Sequence, residues 1–270
     1  VILARGGSKG IPYKNIYKIN NHPLISYTIE AAKKSSYINQ VYVSTDDKKI
    51  AYQAKLYGGI VPFFRSKKYS TDKTTSVDAL KDTVKKIENI TKIKYDYIIE
   101  LPCVSPLRDE NDIDQALKIL INSKYDSVVS YVNTGEKHPI RLKRINKTNS
   151  ITNFCKEYKE PPKGSRRQDF EPCFIRNGAI YAMTRDCLIR QHSREGKKSY
   201  PFIMPDEKSV NIDNKFDLLN ARLLIENGFC NNAPKKINPI KDITITKHTE
   251  YEKKFLNIFI PQFFVINKWC

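Results

Sequence analysis

The residues best suited to chemistry stand at the start of the chain. A short apolar run, Val1 to Ala4, leads straight into Arg5, Gly6, Gly7, Ser8, Lys9, Gly10, Lys14 and Asn15. Glycines let backbone N–H groups approach an anion closely, cations neutralise it, and a strand end fixes where it sits. That combination suits the grip on a nucleoside triphosphate. It is not the Walker loop, because no Gly-Lys-Ser/Thr follows a glycine after four spacers. GGSKG also lacks the G-x-G-x-x-G spacing of the dinucleotide fingerprint.

Such a loop needs a scaffold that brings several strand ends to one crevice, and the hydrophobic pattern predicts one. Val1–Ala4, Val41–Ser44, Ile60–Phe64, Tyr97–Leu101 and Ser127–Val132 read as strands. Between them lie helical stripes: Leu24, Tyr27, Thr28 and Ala31; a helix from about Asp47 that stops before Gly58-Gly59; Val77, Leu80, Val84 and Ile87; and Ile113, Ala116, Leu117 and Leu120. This alternation predicts an α/β fold, Rossmann-like, with a mostly parallel sheet covered by helices. Ligands of such sheets bind beyond the carboxyl ends of the strands, so the loops holding Arg5, Asp46 and Ser105 can share one crevice.

The rhythm breaks over residues 133–172. This stretch is polar, holds Pro161-Pro162 and Gly164, and has short β-like pieces such as Ser150–Phe154. It reads as an inserted arm or flap. The sheet is expected to resume at Ala179–Met183, and Phe216, Leu219 and Leu223 open a last helix that ends at Gly228. Residues 1–230 then form one domain. Residues 231–270 are a linker, Asn231–Asp242, and an apolar tail, Phe255–Ile266, interrupted by Pro261. The tail is assigned no function.

Bulk properties narrow the class. The chain has 270 residues, with 47 basic and 29 acidic, for a formal charge of +18. The basic residues are spread out rather than gathered in arms, so they read as a solvated surface whose field steers anionic substrates, not as a nucleic-acid interface. No apolar run approaches the ~20 residues of a membrane span. The six cysteines show no C-x-x-C pair and the four histidines add no zinc pattern. With no basic segment before Val1, the expectation is a cytoplasmic protein with reduced thiols.

ARGGSKGIPYKN resembles the nucleotide loop of the acylneuraminate cytidylyltransferases, the CMP-sialic acid synthetase family. Further matches follow in the same order: VYVSTDD (41–47), RSKKYSTDKTTS (65–76), SPLR (105–108), KHPIR (137–141), RRQ (166–168), RNGAIY (176–181) and NIDNKFD (211–217). The resemblance implies a three-layer sheet of the nucleotide-diphospho-sugar transferase type, whose arm serves dimerisation. It implies a homodimer that transfers CMP from CTP to a nonulosonic (sialic-type) acid, releasing pyrophosphate and using Mg²⁺. Among the triphosphate candidates Arg5, Ser8, Lys9 and Lys14, it singles out Arg5 and Lys14, with Lys14 nearest the α-phosphate. Asn15 either contacts the nucleotide or caps the next turn. Arg65 and Ser76 match base- and ribose-contacting positions, and Asp72 either joins them or caps the 77–90 helix. Arg167 and Gln168 suit the sugar carboxylate, since guanidinium forks match carboxylates. Asn177 suits an amide substituent, and Arg141, where the family often has Lys, is expected to serve the neighbouring subunit's site.

Two departures stand out. The family's metal pattern is Asp-x-Asp, whereas this chain has Asn211-Ile212-Asp213. Alternate strand residues share a face, so Asn211 and Asp213 can still reach one ion, with Asp217 and Asp46 in reserve. Pro102 and Val104 stand where the family has Gln and Thr, which removes two hydrogen-bonding groups and leaves the exact sugar open. Cys103 reads as a buried small residue. The alternatives are another keto sugar, GTP in place of CTP, or a catalytically impaired homologue that binds nucleotide only.

Overall fold

A computed structural model describes residues 1–8, 10–158, 160, 166–230 and 232–237. Lys9, Pro161-Pro162, Gly164 and most of the expected linker and tail lie outside the described residues. Strands β1 (Ile2–Leu3), β2 (Lys18–Ile19) and β3 (His22–Pro23) precede α1 (Leu24–Lys34). Then come β4 (Val43–Ser44), α2 (Lys48–Leu56), α3 (Ser76–Thr91), β5 (Tyr97–Glu100) and α4 (Glu110–Ile121). The second half holds β6 (Ser127–Asn133), β7 (Lys143–Ile145), β8 (Ile151–Asn153), β9 (Phe174–Thr184), α5 (Arg185–Ile189), β10 (Ser199–Ile203) and α6 (Lys215–Glu226).

Six of the strands form one layer, and β2–β3 and β7–β8 are separate antiparallel pairs. β1 pairs with β4, and β10 with β6, both in parallel. β9 lies between β6 and β5 and runs antiparallel to each. β1 meets β5 through the Val1 nitrogen, which donates to the Ile99 carbonyl at 2.6 Å, and the Leu101 N–H, which donates to the Val1 carbonyl at 3.1 Å. That slanted exchange is a parallel pairing. The layer thus reads β4, β1, β5, β9, β6, β10, and β9 is its antiparallel member. Beyond β4, Ile60 and Phe64 make only single bridges, to Tyr42 and Thr45. The expected strand there is broken because Pro62 has no N–H to donate.

Period-two alternation builds a core on each face. Ile2, Ala4, Ile99 and Val128 face α1, α2 and α4, while Leu3, Ile98 and Val129 face α3 and α5. Three layers result, the helix-covered sheet that the pattern predicted in the three-layer form that the resemblance implied. α1 is buried along most of its length, which fits its central place. The sheet resumes earlier than expected, at Phe174, so β9 carries both the end of the arm and the centre of the core.

The excursion between β6 and β9 starts and ends on neighbouring strands. The Thr134 N–H donates to the Cys173 carbonyl at 2.9 Å and closes its root. Within it, β7 and β8 pair antiparallel from Lys143↔Asn153 to Ile145↔Ile151. This hairpin exposes Leu142, Ile145, Ile151 and Phe154.

Candidate active site

The loop after β1 is held open by its own sequence. Gly6 donates its N–H to Asp46 Oδ1 at 2.9 Å, and a Cβ there would lie 3.0 Å from the Cβ of Asp47. Asp47 is fixed as the N-cap of α2, accepting from the Lys49 and Ile50 amides. Asn15 is buried and donates to the Arg5 carbonyl at 3.0 Å, so within the chain it ties the two ends of the loop together. Arg5, Ser8, Gly10, Lys14 and Asn15, with Leu3, line a cavity of ≈ 200 Å³. Two cations and a glycine-rich backbone around one space make an anion site.

The cations have partners inside the chain. Arg5 Nη1 lies 2.6 Å from Asp72 Oδ1. Asp72 is therefore drawn to the loop, while the N-cap of α3 is Thr75. Lys14 Nζ donates to the Ile212 carbonyl at 2.7 Å and to Asp213 Oδ1 at 3.0 Å. Arg65 is buried with its guanidinium 3.9 Å from Asp46, and donates from Nε to Ser70 at 3.3 Å. Burial presses its pKa below the ordinary value, and Asp46 opposes that. Ser76, the first residue of α3, is exposed, as is Gly7.

Next to the Ile212 contact of Lys14, three segments far apart in sequence are joined. Arg108 is fully buried and donates from Nη1 to the carbonyls of Pro102 (2.9 Å) and Ser105 (2.6 Å), pinning the turn that follows β5. The Ile212 N–H donates to the Val104 carbonyl at 2.8 Å, and Ser105 Oγ to the Gly178 carbonyl at 3.3 Å. Burial pushes the Cys103 thiol up to about 12, which leaves it protonated and inert.

Asn177 sits at the junction. Its Oδ1 accepts from Ser130 Oγ at 2.6 Å and from the Ala179 N–H at 3.2 Å, and its Nδ2 donates to Ser209 Oγ at 2.9 Å. The amide expected to meet a sugar is buried and braces the 209–213 segment. Ser130 and Ser209, its partners, carry no sequence signal of their own. Next to it Gly178 has φ +70°, and a Cβ there would lie 2.7 Å from Asn211 Nδ2. Glycine is needed on both counts.

Asn211 Nδ2 reaches the Asn177 carbonyl at 3.4 Å, while its Oδ1 is buried with no hydrogen-bond partner among the described residues. The Asp213 carboxylate is 73% exposed. Residues 211–213 are not a strand, so the shared face expected of Asn211 and Asp213 is not formed and Asp213 turns to Lys14; the orphaned Asn211 oxygen is by its chemistry a hard donor that a cation would accept. Among the described residues no three His, Cys, Asp or Glu side chains converge. The two reserve acids are engaged elsewhere: Asp217 accepts from the Asp213 and Asn214 amides as part of the capping box of α6, and Asp46 holds the Gly6 amide.

The remaining candidates lie in the arm. Arg141 ends a 3-10 turn, Pro139–Arg141, with its guanidinium 5.4 Å from the centre of the Phe170 ring. Arg167 and Gln168 belong to the turn Arg167–Asp169, and Gln168 is exposed. Neither Arg141 nor Gln168 is among the described residues that line the cavity.

Comparison with known proteins bears on the family and the fold. The family described as Cytidylyltransferase matches residues 1–199. A pseudaminic acid cytidylyltransferase of Campylobacter jejuni is 32% identical over 226 residues, 83% of this chain and 94% of that one. An N-acylneuraminate cytidylyltransferase of Streptococcus agalactiae is 32% identical over 223 residues, 82% of this chain but only 51% of that longer protein. In fold, the chain is similar to a CMP:2-keto-3-deoxy-manno-octonic acid synthetase complexed with CTP, with a TM-score of 0.60 at 19% identity over 84% of this chain and 97% of that one. The ordered loop motifs, the three-layer sheet and the match over most of the chain agree: the protein belongs to the cytidylyltransferase family.

Proposed function

We propose that the protein transfers CMP from CTP to the anomeric hydroxyl of a nonulosonic acid and releases pyrophosphate. The observation that carries this reading is the convergence of Arg5 and Lys14 on one glycine-walled cavity, with Asp213 against Lys14. In the reaction the hydroxyl oxygen bonds to the α-phosphorus, the bond to pyrophosphate breaks, and the hydroxyl proton leaves to solvent or base. Such a step needs charge neutralisation and alignment rather than a covalent nucleophile. Arg5, Ser8 and Lys9 take the outer phosphates, with the Gly6 and Gly7 backbone beside them. Lys14 exchanges Asp213 for the α-phosphate. Arg65, Asn15 and Ser76 serve the base and ribose.

Asn211 Oδ1 and Asp213 are the residues that would hold Mg²⁺, which neutralises phosphate charge when bound. Arg141, Arg167 and Gln168 bring donors suited to the acid's carboxylate. Their position in the arm supports delivery to a neighbouring site in a homodimer, with the exposed apolar hairpin as the contact. The curated relatives named above act on pseudaminic and N-acylneuraminic acids, which supports a nonulosonate here. The described cysteines are free, which suits a reducing compartment such as the cytoplasm.

Asn211 in place of a carboxylate favours one second reading, a homologue that binds nucleotide without turning it over. Pyrophosphate release tests both, using purified protein, CTP, Mg²⁺ and sialic, legionaminic and pseudaminic acids, with GTP in parallel. Release that requires CTP and one acid supports the transferase. Silence across the panel, with CTP still raising the melting temperature, supports the binding protein.

A further inference from the structure

Lys208 belongs to none of the motifs above, yet it makes a dense set of ionic contacts beside the site. It ends a 3-10 turn, Asp206–Lys208, and its Nζ lies 2.6 Å from Asp109 Oδ2 and 3.0 and 3.1 Å from the two carboxylate oxygens of Asp112. These aspartates are the capping box of α4, each accepting the other's backbone N–H at 2.9 and 3.1 Å. Both are buried. Capping alone does not require two carboxylates, since the box of α6 has the neutral Asn214 at its N-cap. A buried acidic pair is unfavourable unless a cation answers it, and Lys208 supplies that cation from a distant part of the chain.

Its position is the informative part. Lys208 is followed at once by Ser209, which holds Asn177, then by Asn211, by Ile212, whose amide is held by Val104, and by Asp213. The helix it grips begins directly after the 104–108 turn that receives the Ile212 amide. The 209–213 segment is thus fastened to one loop at two points, by a buried ion cluster before Ser209 and by a backbone bond at Ile212. We infer that Lys208 is a positioning residue: through Asp109 and Asp112 it fixes the segment that sets Asn211 and Asp213 opposite Lys14.

The inference rests on the proposed function for its kinetic consequence but not for its structural one, so two readouts are paired. Lys208→Met should speed amide hydrogen exchange across residues 209–213 at least tenfold. It should also lower kcat about 10- to 100-fold, the usual effect of removing an outer-shell support, while KM for CTP moves less than threefold. Lys208→Arg should recover both. Because Lys208→Met leaves a buried acidic pair unanswered, the decisive variant is Lys208→Met with Asp112→Asn. That pair restores the charge balance of the cluster, and with it the melting temperature, but not the tether. Wild-type exchange and kcat in the double variant would overturn the inference and reduce Lys208 to a counter-ion. Exchange that stays fast and kcat that stays low, at a recovered melting temperature, would support it. A wild-type protein with no turnover would sink the proposed function, while the exchange measurement would still decide the brace.

Discussion

Lys14 and Asp213 stand 199 residues apart in sequence and 3.0 Å apart in space. The same ammonium holds the Ile212 carbonyl at 2.7 Å, so one side chain joins the glycine loop to the segment before α6. An ion pair with so exposed a carboxylate contributes about 0.2–1 kcal/mol at most. The contact is therefore easily exchanged for a phosphate oxygen.

Lys14→Ala should separate stability from function. The fold should lose about 1 kcal/mol in urea unfolding, the worth of a hydrogen bond and a weak ion pair. Pyrophosphate release should fall by about 10²–10³, as expected when a donor to developing charge is removed. Full turnover in this variant would rule out its role at the α-phosphate.

Asn211→Asp should make the protein depend more on Mg²⁺. The new carboxylate loses the donor now facing the Asn177 carbonyl, at 3.4 Å, and sets a negative charge against an acceptor. Without metal the melting temperature should fall by a few degrees, on the order of 1 kcal/mol. With Mg²⁺ it should recover, and half-maximal turnover should need less metal than in the wild type. A variant that Mg²⁺ does not stabilise would place the metal elsewhere.

At Gly10 a Cβ would meet the Asp213 carbonyl oxygen at 2.6 Å, and backbone cannot swing aside. Gly10→Ala should push the loop and the 211–213 segment apart, costing about 1–3 kcal/mol by overpacking. CTP affinity, read by calorimetry, should drop with it. Unchanged stability would mean that the two segments are less firmly seated than their hydrogen bonds indicate.

Acid should expose one surface anchor. Hydrogen bonds from Arg185, at 2.7 and 2.8 Å, hold the Glu88 carboxyl below its ordinary value and tie α3 to α5. A carboxyl with a lower pKa in the folded state stabilises above its unfolded pKa, near 4.5, and that contribution is lost as pH falls through the folded value. Unfolding free energy measured downward from pH 6 should therefore decline less steeply in Glu88→Gln than in the wild type. Parallel curves would show that the pair does not couple to folding.

Local rules carried most of the fold and less of the site. The glycine loop and the helix stripes were legible because each depends on neighbours in sequence. β10 was not, because Pro201 lies inside it. An edge strand tolerates proline on its open side, and β10 pairs only with β6. The 60–64 segment failed in the opposite direction, since its apolar run suggested a strand that Pro62 interrupts. Within the site, the partners of Asn177 inside the chain, Ser130 and Ser209, were not legible, because an amide's partners cannot be read from spacing. Lys208 gave no signal at all, its carboxylates being 96 and 99 residues away.

The root of the arm has an evolutionary consequence. The excursion leaves from Thr134 and returns at Cys173, on strands that already lie side by side. Its length and contents can change without shifting the register of the sheet. The cavity after β1 has no such freedom: its lining comes from one stretch, Leu3 to Asn15, and Lys14 within it is tied to Ile212 and Asp213 across the chain. Insertions and deletions between Thr134 and Cys173 should thus leave the sheet intact, whereas changes in the 3–15 loop disturb contacts that reach the far end of the chain.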